Sequence, residues 1–273
     1  MLEMRLRGYV TPEDFTGTDT ERIQKALDTS AEYDIGRVVL KGNYKVDTTL
    51  RIHPMTDLVM EDACVAANGD FPVLENWNLK ETEKHSYSFE EKFFTVRGNN
   101  AKLDGDVVFY NANHVNIDGL EFGGALCFSF TREVRLFNST FTGKNGAVLA
   151  MGANNFIMQN LIAHCADSAV VMDPTLELAD YLIGKEADVH DVILQDSAFH
   201  TVASAITLRT DAECKISNIQ ISNIQADGTA LTVGTKEIQV PENCYFNLTA
   251  EGLTAGGEKI VVNNPVKHCY FPG

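Results

Sequence analysis

Six octets of the chain, at positions 115–122, 134–141, 156–163, 192–199, 219–226 and 246–253, carry an apolar residue at both their first and third places. Their fifth place holds Gly119, Asn138, Asn160, Asp196, Asn223 or Ala250, small or turn-forming residues suited to a tight bend between two short strands. The octets start 19, 22, 36, 27 and 27 residues apart, around the roughly 20–25 residues that one turn of a strand-built solenoid takes. The step of 36 contains residues 174–189, too polar and irregular for a strand, which predicts a loop inserted into one turn. Second apolar segments at 147–149, 169–172, 205–208 and 230–233 supply the next strand of successive turns, stacked about 4.8 Å apart.

The chain upstream has a different period. Thr18 and Glu21 form a capping box before Ile23, Ala26 and Leu27, which stand at helical spacing, so a short amphipathic helix occupies the 18–36 region and ends near Gly36. A β-rich run over 37–46 follows, broken at the turn pair Gly42-Asn43. No turn of such a coil buries its apolar side alone; each covers the next. The helix is placed as a cap on the first turn, shielding edge groups that would pair with another chain, and residues 266–273 as the cap at the far end. The pattern therefore predicts an all-β protein, a single-stranded right-handed parallel β-helix with a short N-terminal capping α-helix, forming one domain over 1–273.

Composition narrows the partners. With 44% hydrophobic and 22% charged residues the chain has material for a continuous core. A net charge of −16 argues against nucleic acid, which rewards clustered Lys and Arg. No stretch approaches the ~18 apolar residues of a membrane span. Met1–Val10 lacks an apolar leader, so the expectation is a cytoplasmic protein, or a secreted one if a leader has been removed. Cys64, Cys127, Cys165, Cys214, Cys244 and Cys269 are widely spaced without a CxxC pair and read as buried thiols. Open coil ends are compatible with an oligomer.

Asp19-Thr20, Ile23-Gln24, Ala26-Leu27, Gly36, Val38-Val39-Leu40 and Gly42-x-Tyr44 together resemble the N-terminal signature of the pectate-lyase-like β-helix superfamily. Within it the chain looks most like the polygalacturonase-like proteins of glycoside hydrolase family 28. That resemblance implies inverting hydrolysis by a pair of carboxyl groups ~6.5–9.5 Å apart. The family builds its site from Asn-Thr-Asp, Asp-Asp, Gly-His-Gly and Arg-x-Lys on successive rungs. Here the corresponding rungs read Lys144-Asn145-Gly146-Ala147, Asp167-Ser168-Ala169, Ala203-Ser204-Ala205 and Gly228-Thr229-Ala230, and Asp167 alone of the motif carboxylates is present.

Alternation along 169–173 turns Val170 and Met172 inward and Val171 outward, and the same phase exposes Thr207 and Arg209 on the next rung. Asp173 and Arg209 then fall close enough for an ion pair. Asp167, Asp173 and Asp211 are the candidate catalytic carboxylates, since neighbouring carboxyls raise one another's pKa and divide acid and base roles. Arg209, His164, His200, Tyr181 and Lys185 are the candidate substrate-binding residues, the last two on the inserted loop, and Trp77 stands in a second irregular stretch. A surface salt bridge beside turn residues is the alternative for Asp173 and Arg209, and a hydrogen-bonded turn residue for each histidine. No metal motif is present; calcium enters only under a lyase mechanism. The leading expectation is a divergent glycoside hydrolase acting on an acidic or plant-derived oligosaccharide or polysaccharide without a cofactor. A non-catalytic carbohydrate-binding or structural β-helix is the alternative, and a polysaccharide lyase or epimerase the third.

Overall fold

The computed structural model describes residues 2–76, 91–176, 187–201, 203–209, 214–229, 231–233, 245–255, 260–262 and 267–270. The chain opens with α1 (Leu2–Arg7), a 3-10 turn at Pro12–Asp14 and α2 (Asp19–Glu32). The first four turns of strand are β1 (Arg37–Val46) with β2 (Leu50–Ile52), β3 (Asp57–Ala67) with β4 (Leu74–Asn76), β5 (Glu91–Asp104) with β6 (Val107–Tyr110), and β7 (Ala112–Phe122) with β8 (Leu126–Ser129). Next come β9 (Arg132–Phe137), β10 (Thr140–Phe141) and β11 (Ala147–Leu149), then β12 (Asn154–Gln159), β13 (Ile162–Ala163) and β14 (Ser168–Met172). The last turns are β15 (Val189–Phe199) with β16 (Ser204–Leu208), β17 (Ile216–Ala226) with β18 (Leu231–Val233), and β19 (Tyr245–Ala255) with β20 (Ile260–Val262); β21 (Lys267–Tyr270) follows.

Every strand pairs in parallel with its counterpart one turn away, giving a 12-stranded sheet and a 9-stranded sheet that advance together along the coil. The three short strands expected per turn are separate in the turns β9–β11 and β12–β14, and in the others condense into a long bent strand and a short one. Hydrogen bonding runs through the bend because one residue there takes the left-handed conformation: Gly119, Asn138, Asn160, Asp196 and Asn223, the fifth residues of five octets, all have positive φ. Asp62 and Gly42 hold the same place in β3 and β1. The octet pattern thus extends back to Val38 and Leu58, before the first octet found in the sequence. At Gly119 a Cβ would lie 2.5 Å from the carbonyl oxygen of Gly98, so the chain there accepts only glycine.

Inward residues form one continuous core in which phenylalanines stack along the coil axis: Phe109 lies 5.8 Å from Phe128, and Phe122 5.3 Å from Phe141. Helix α2 starts on the predicted capping box, with Thr18 accepting from Glu21 N–H and Glu21 accepting from Thr18 N–H. It buries Ile23, Ala26 and Leu27 against the first turn. Val10 adds a bridge on β1, accepting from Val39 N–H and donating to Arg37 O, both at 2.9 Å, so part of that strand edge is covered. The far end departs from expectation. Lys267–Tyr270 pairs with β19 as a further strand of the large sheet and so extends the coil where a cap was expected. No helix among the described residues is long and apolar enough to cross a membrane.

Two expectations about exposure need correction. Val171 and Thr207 point away from the core, as alternation requires, yet each is only 5% exposed; β14 and β16 are buried along their whole length. Alternation fixes direction, whereas exposure depends on what packs outside. Of the cysteines, Cys165 and Cys214 are buried as expected, while Cys64 and Cys127 are half-buried; none of these four forms a disulfide.

Candidate functional site

The carboxylates singled out in the sequence do not converge. Asp167 precedes β14 and Asp173 follows it, with the whole strand Ser168–Met172 between them. At about 3.3 Å per residue their backbones stand about 20 Å apart, far beyond the roughly 6.5–9.5 Å of an inverting pair. Asp211, Tyr181, Lys185 and Trp77 lie outside the described residues, as do residues 177–186 of the inserted loop.

Asp173 and Arg209 are neighbours in register, since Met172 pairs with Leu208 and Arg209 N–H donates to Met172 O at 2.9 Å. The expected ion pair is not among the salt bridges of the described residues. The Asp173 carboxylate, 8% exposed, instead accepts from Thr175 N–H at 3.1 Å and Thr175 O–H at 2.6 Å, closing a local turn. Arg209 Nε is buried without a hydrogen-bond partner among the described residues.

Around Asp167 the rung alignment read from the sequence is matched in register. Asp167 N–H donates to Lys144 O at 2.8 Å, Ala203 N–H donates to Asp167 O at 3.3 Å, and Ser168 pairs with Ser204. One turn of backbone earlier in each rung, His164 and His200 come together: their rings stack at 5.0 Å with 9° between planes. Asp227 Oδ2 on the following rung accepts from His200 Nδ1 at 2.6 Å, which orients that ring. Asp227 was not singled out in the sequence, although it stands at the ninth place counted from the start of its octet, as do His164 and His200 in theirs.

A concave site lies elsewhere, at the elbow where the long strands bend. It is a groove of about 410 Å³ running over several turns, lined by Asn43, Asp62, Asn100, Lys102, Glu121 and Asn138 among others. The left-handed residues of the bend supply part of this lining and bond to one another across turns: Asn100 Nδ2 donates to Asp62 Oδ1 at 2.8 Å, and Asn160 Nδ2 to Asn138 Oδ1 at 2.6 Å. Lys102 Nζ lies 3.3 Å from Asp104 Oδ1 and 3.2 Å from Glu121 Oε1. Partial burial pulls the Lys102 ammonium down, but its hydrogen bonds to Glu121 and Asp104 outweigh this and raise its pKa. Burial, with the charge of Asp104 added, raises the Cys64 thiol at the same groove. Asp104 and Glu121 are committed to Lys102, and Asp62 accepts from the Asn100 amide, so the elbow presents fixed donors and acceptors. Among the described residues no set of three or more His, Cys, Asp or Glu side chains is arranged to hold a metal.

No family model and no curated protein matches this chain. Solved structures do. The chain is similar over 96% of its length, and 95% of the other's, to an endo-xylogalacturonan hydrolase from Aspergillus tubingensis, at 9% identity and a TM-score of 0.55. It is similar over 96% of its length, and 93% of the other's, to PfbA, a surface adhesin of Streptococcus pneumoniae, at 13% identity and a TM-score of 0.53. The chain is a right-handed parallel β-helix. A third match, at 13% identity and a TM-score of 0.47, is a mutant tailspike protein of E. coli bacteriophage HK620 in complex with a pentasaccharide, covering all of this chain and 68% of the tailspike. At these identities the β-helix is what is shared. A hydrolase and an adhesin both carry it, so function must be argued from side chains.

Proposed function

We propose that this β-helix is a carbohydrate-binding protein that holds an oligosaccharide or polysaccharide chain on the outside of its coil, in the elbow groove. The observation that carries the reading is the groove itself: amide, hydroxyl and carboxylate groups at fixed spacing on stacked strands, where little ordering entropy is left to lose on binding. A polyhydroxylated ligand asks for such a lining of paired donors and acceptors. The endo-xylogalacturonan hydrolase, whose name gives it a polysaccharide to act on, has the same coil, which supports the reading. Isothermal titration of β-1,4-linked gluco-, xylo- and galacturono-hexasaccharides tests it. Saturable binding weakened at least tenfold in Asn43→Ala and Thr140→Val is expected; heat signals indistinguishable from buffer across the panel would sink the reading.

A second reading, a divergent glycoside hydrolase acting on an acidic or plant-derived oligosaccharide, draws on another observation. His164, His200 and Asp227 form a column beside the segment that carries Asp167, and a base held by an orienting carboxylate is a recurrent catalytic arrangement. Under this reading Asp167→Asn and His200→Gln abolish product release while Asp173→Asn, which only frees a turn, leaves it intact. Products with unsaturated, ultraviolet-absorbing ends would assign the chemistry to a lyase instead.

A further inference from the structure

A second column of left-handed residues runs along the β-helix at the start of the long strands: Met55, Phe93, His114, Glu133, Asn155, Asp191 and Asn218, one per turn, each with φ between 55° and 65°. In the later turns the column carries Asn and Asp, the residue types that tolerate this conformation, and they bond across turns as Asn218 does to Asp191. The early turns break that rule. Phe93 and Met55 have bulky side chains for which positive φ is a real outlier, and they are 48% and 67% exposed. Such residues lose backbone stability and gain no burial in return, and strain of this kind held on a rigid scaffold points to a function.

What the two apolar side chains sit beside narrows that function. The Phe93 ring lies 4.7 Å from the His114 ring at a 41° tilt, and His114 Nε2 is 2.7 Å from Glu133 Oε2. An exposed aromatic face is thus followed, one and two turns on, by hydrogen-bonding groups held to each other. We propose that Met55, Phe93, His114 and Glu133 form a stacking platform for one pyranose ring of a glycan. The Phe93 ring takes the apolar C–H face of the sugar, and the Glu133 carboxylate, held in place by His114 Nε2, takes its hydroxyls. One exposed aromatic ring beside a histidine–carboxylate pair offers a single stacking face with hydrogen-bonding groups at its edge, which suits a sugar ring. The platform rests on the reading of the protein as carbohydrate-binding, but it is separate from the elbow groove.

The test uses Phe93→Asn, which installs the residue the turn prefers, and Phe93→Trp, which keeps an aromatic face. The probes are the same gluco-, xylo- and galacturono-hexasaccharides, read by titration calorimetry alongside thermal unfolding and light scattering. Expected is a Phe93→Asn protein that melts no lower than wild type yet binds at least tenfold more weakly, with binding kept in Phe93→Trp. Undiminished binding in Phe93→Asn, while Asn43→Ala still weakens it, overturns the platform and leaves the function standing. A wild-type protein that binds no glycan overturns both. A wild-type dimer that Phe93→Asn converts to monomer, with glycan binding unchanged, assigns the patch to self-association and overturns the platform as well.

Discussion

Asn160 has φ +55° and donates from Nδ2 to Asn138 Oδ1 at 2.6 Å, so one side chain both tolerates the bend and ties it to the neighbouring turn. Replacement by alanine removes the bond and leaves an L-residue with a Cβ in the left-handed region, where the cost is about 1–2 kcal/mol. Asn160→Ala is expected to lower the unfolding free energy by that amount, seen as a lower urea midpoint at unchanged slope, and Asn160→Gly by less; equal losses in the two would assign the effect to the hydrogen bond alone. The thiols give a second prediction at this scale. Burial pushes Cys127 up to about 12 and Cys165 up to about 11, with Asp106 and Asp167 adding smaller contributions. Neither should be alkylated by iodoacetamide at neutral pH in the native protein, whereas both should be after denaturation, as mass spectrometry will show.

Helix α2 is the element whose start, buried face and role were all readable in the sequence, because a capping box and helical spacing are local signals. Thr18→Ala is expected to cost about 1 kcal/mol, seen as a lower thermal midpoint. Its neighbour Asp19 docks the helix onto the coil by accepting from Lys45 N–H at 2.8 Å. That hydrogen bond is the main reason its carboxyl lies below its ordinary 3.8; burial opposes the shift, and Arg22 reinforces it. A depressed carboxyl contributes stability that is fully present above its ordinary value and is lost as pH falls through the lowered one. Asp19→Asn should therefore melt below wild type at pH 6, and the gap should close at pH 3; an unchanged gap would mean the charge plays no part. The strands were harder to read. The pattern at Val38 and Leu58 stands just downstream of the helix-to-sheet change, where residues 37–46 read only as a β-rich run, and the column of left-handed residues near the start of the long strands lies at positions of mixed type.

Across the whole molecule, stability is a sum of interfaces between consecutive turns, since each turn covers the next. Phe128 is fully buried, stacked 5.8 Å from Phe109 and edge-on 5.1 Å from Phe156, so it joins β8 to β6 and β12 on either side. Phe128→Ala is expected to cost about 3–5 kcal/mol, with hydrogen exchange accelerated most in the turns around β8 and least in β1. Uniform acceleration along the coil would argue for one all-or-none unit.

Periodicity, turn residues and capping chemistry are local properties of the chain, and by themselves they determined a right-handed coil of parallel strands, its capping helix and the rung alignment around Asp167. Sites are not local. Residues on different turns become neighbours only through register. One strand length kept Asp167 from Asp173, a local turn drew the Asp173 carboxylate away from Arg209, and stacking brought Lys102 between Asp104 and Glu121. Only the tertiary structure decided these, because alternation assigns a side chain to a face while the distance across that face, and what covers it, depend on how every other turn is laid down.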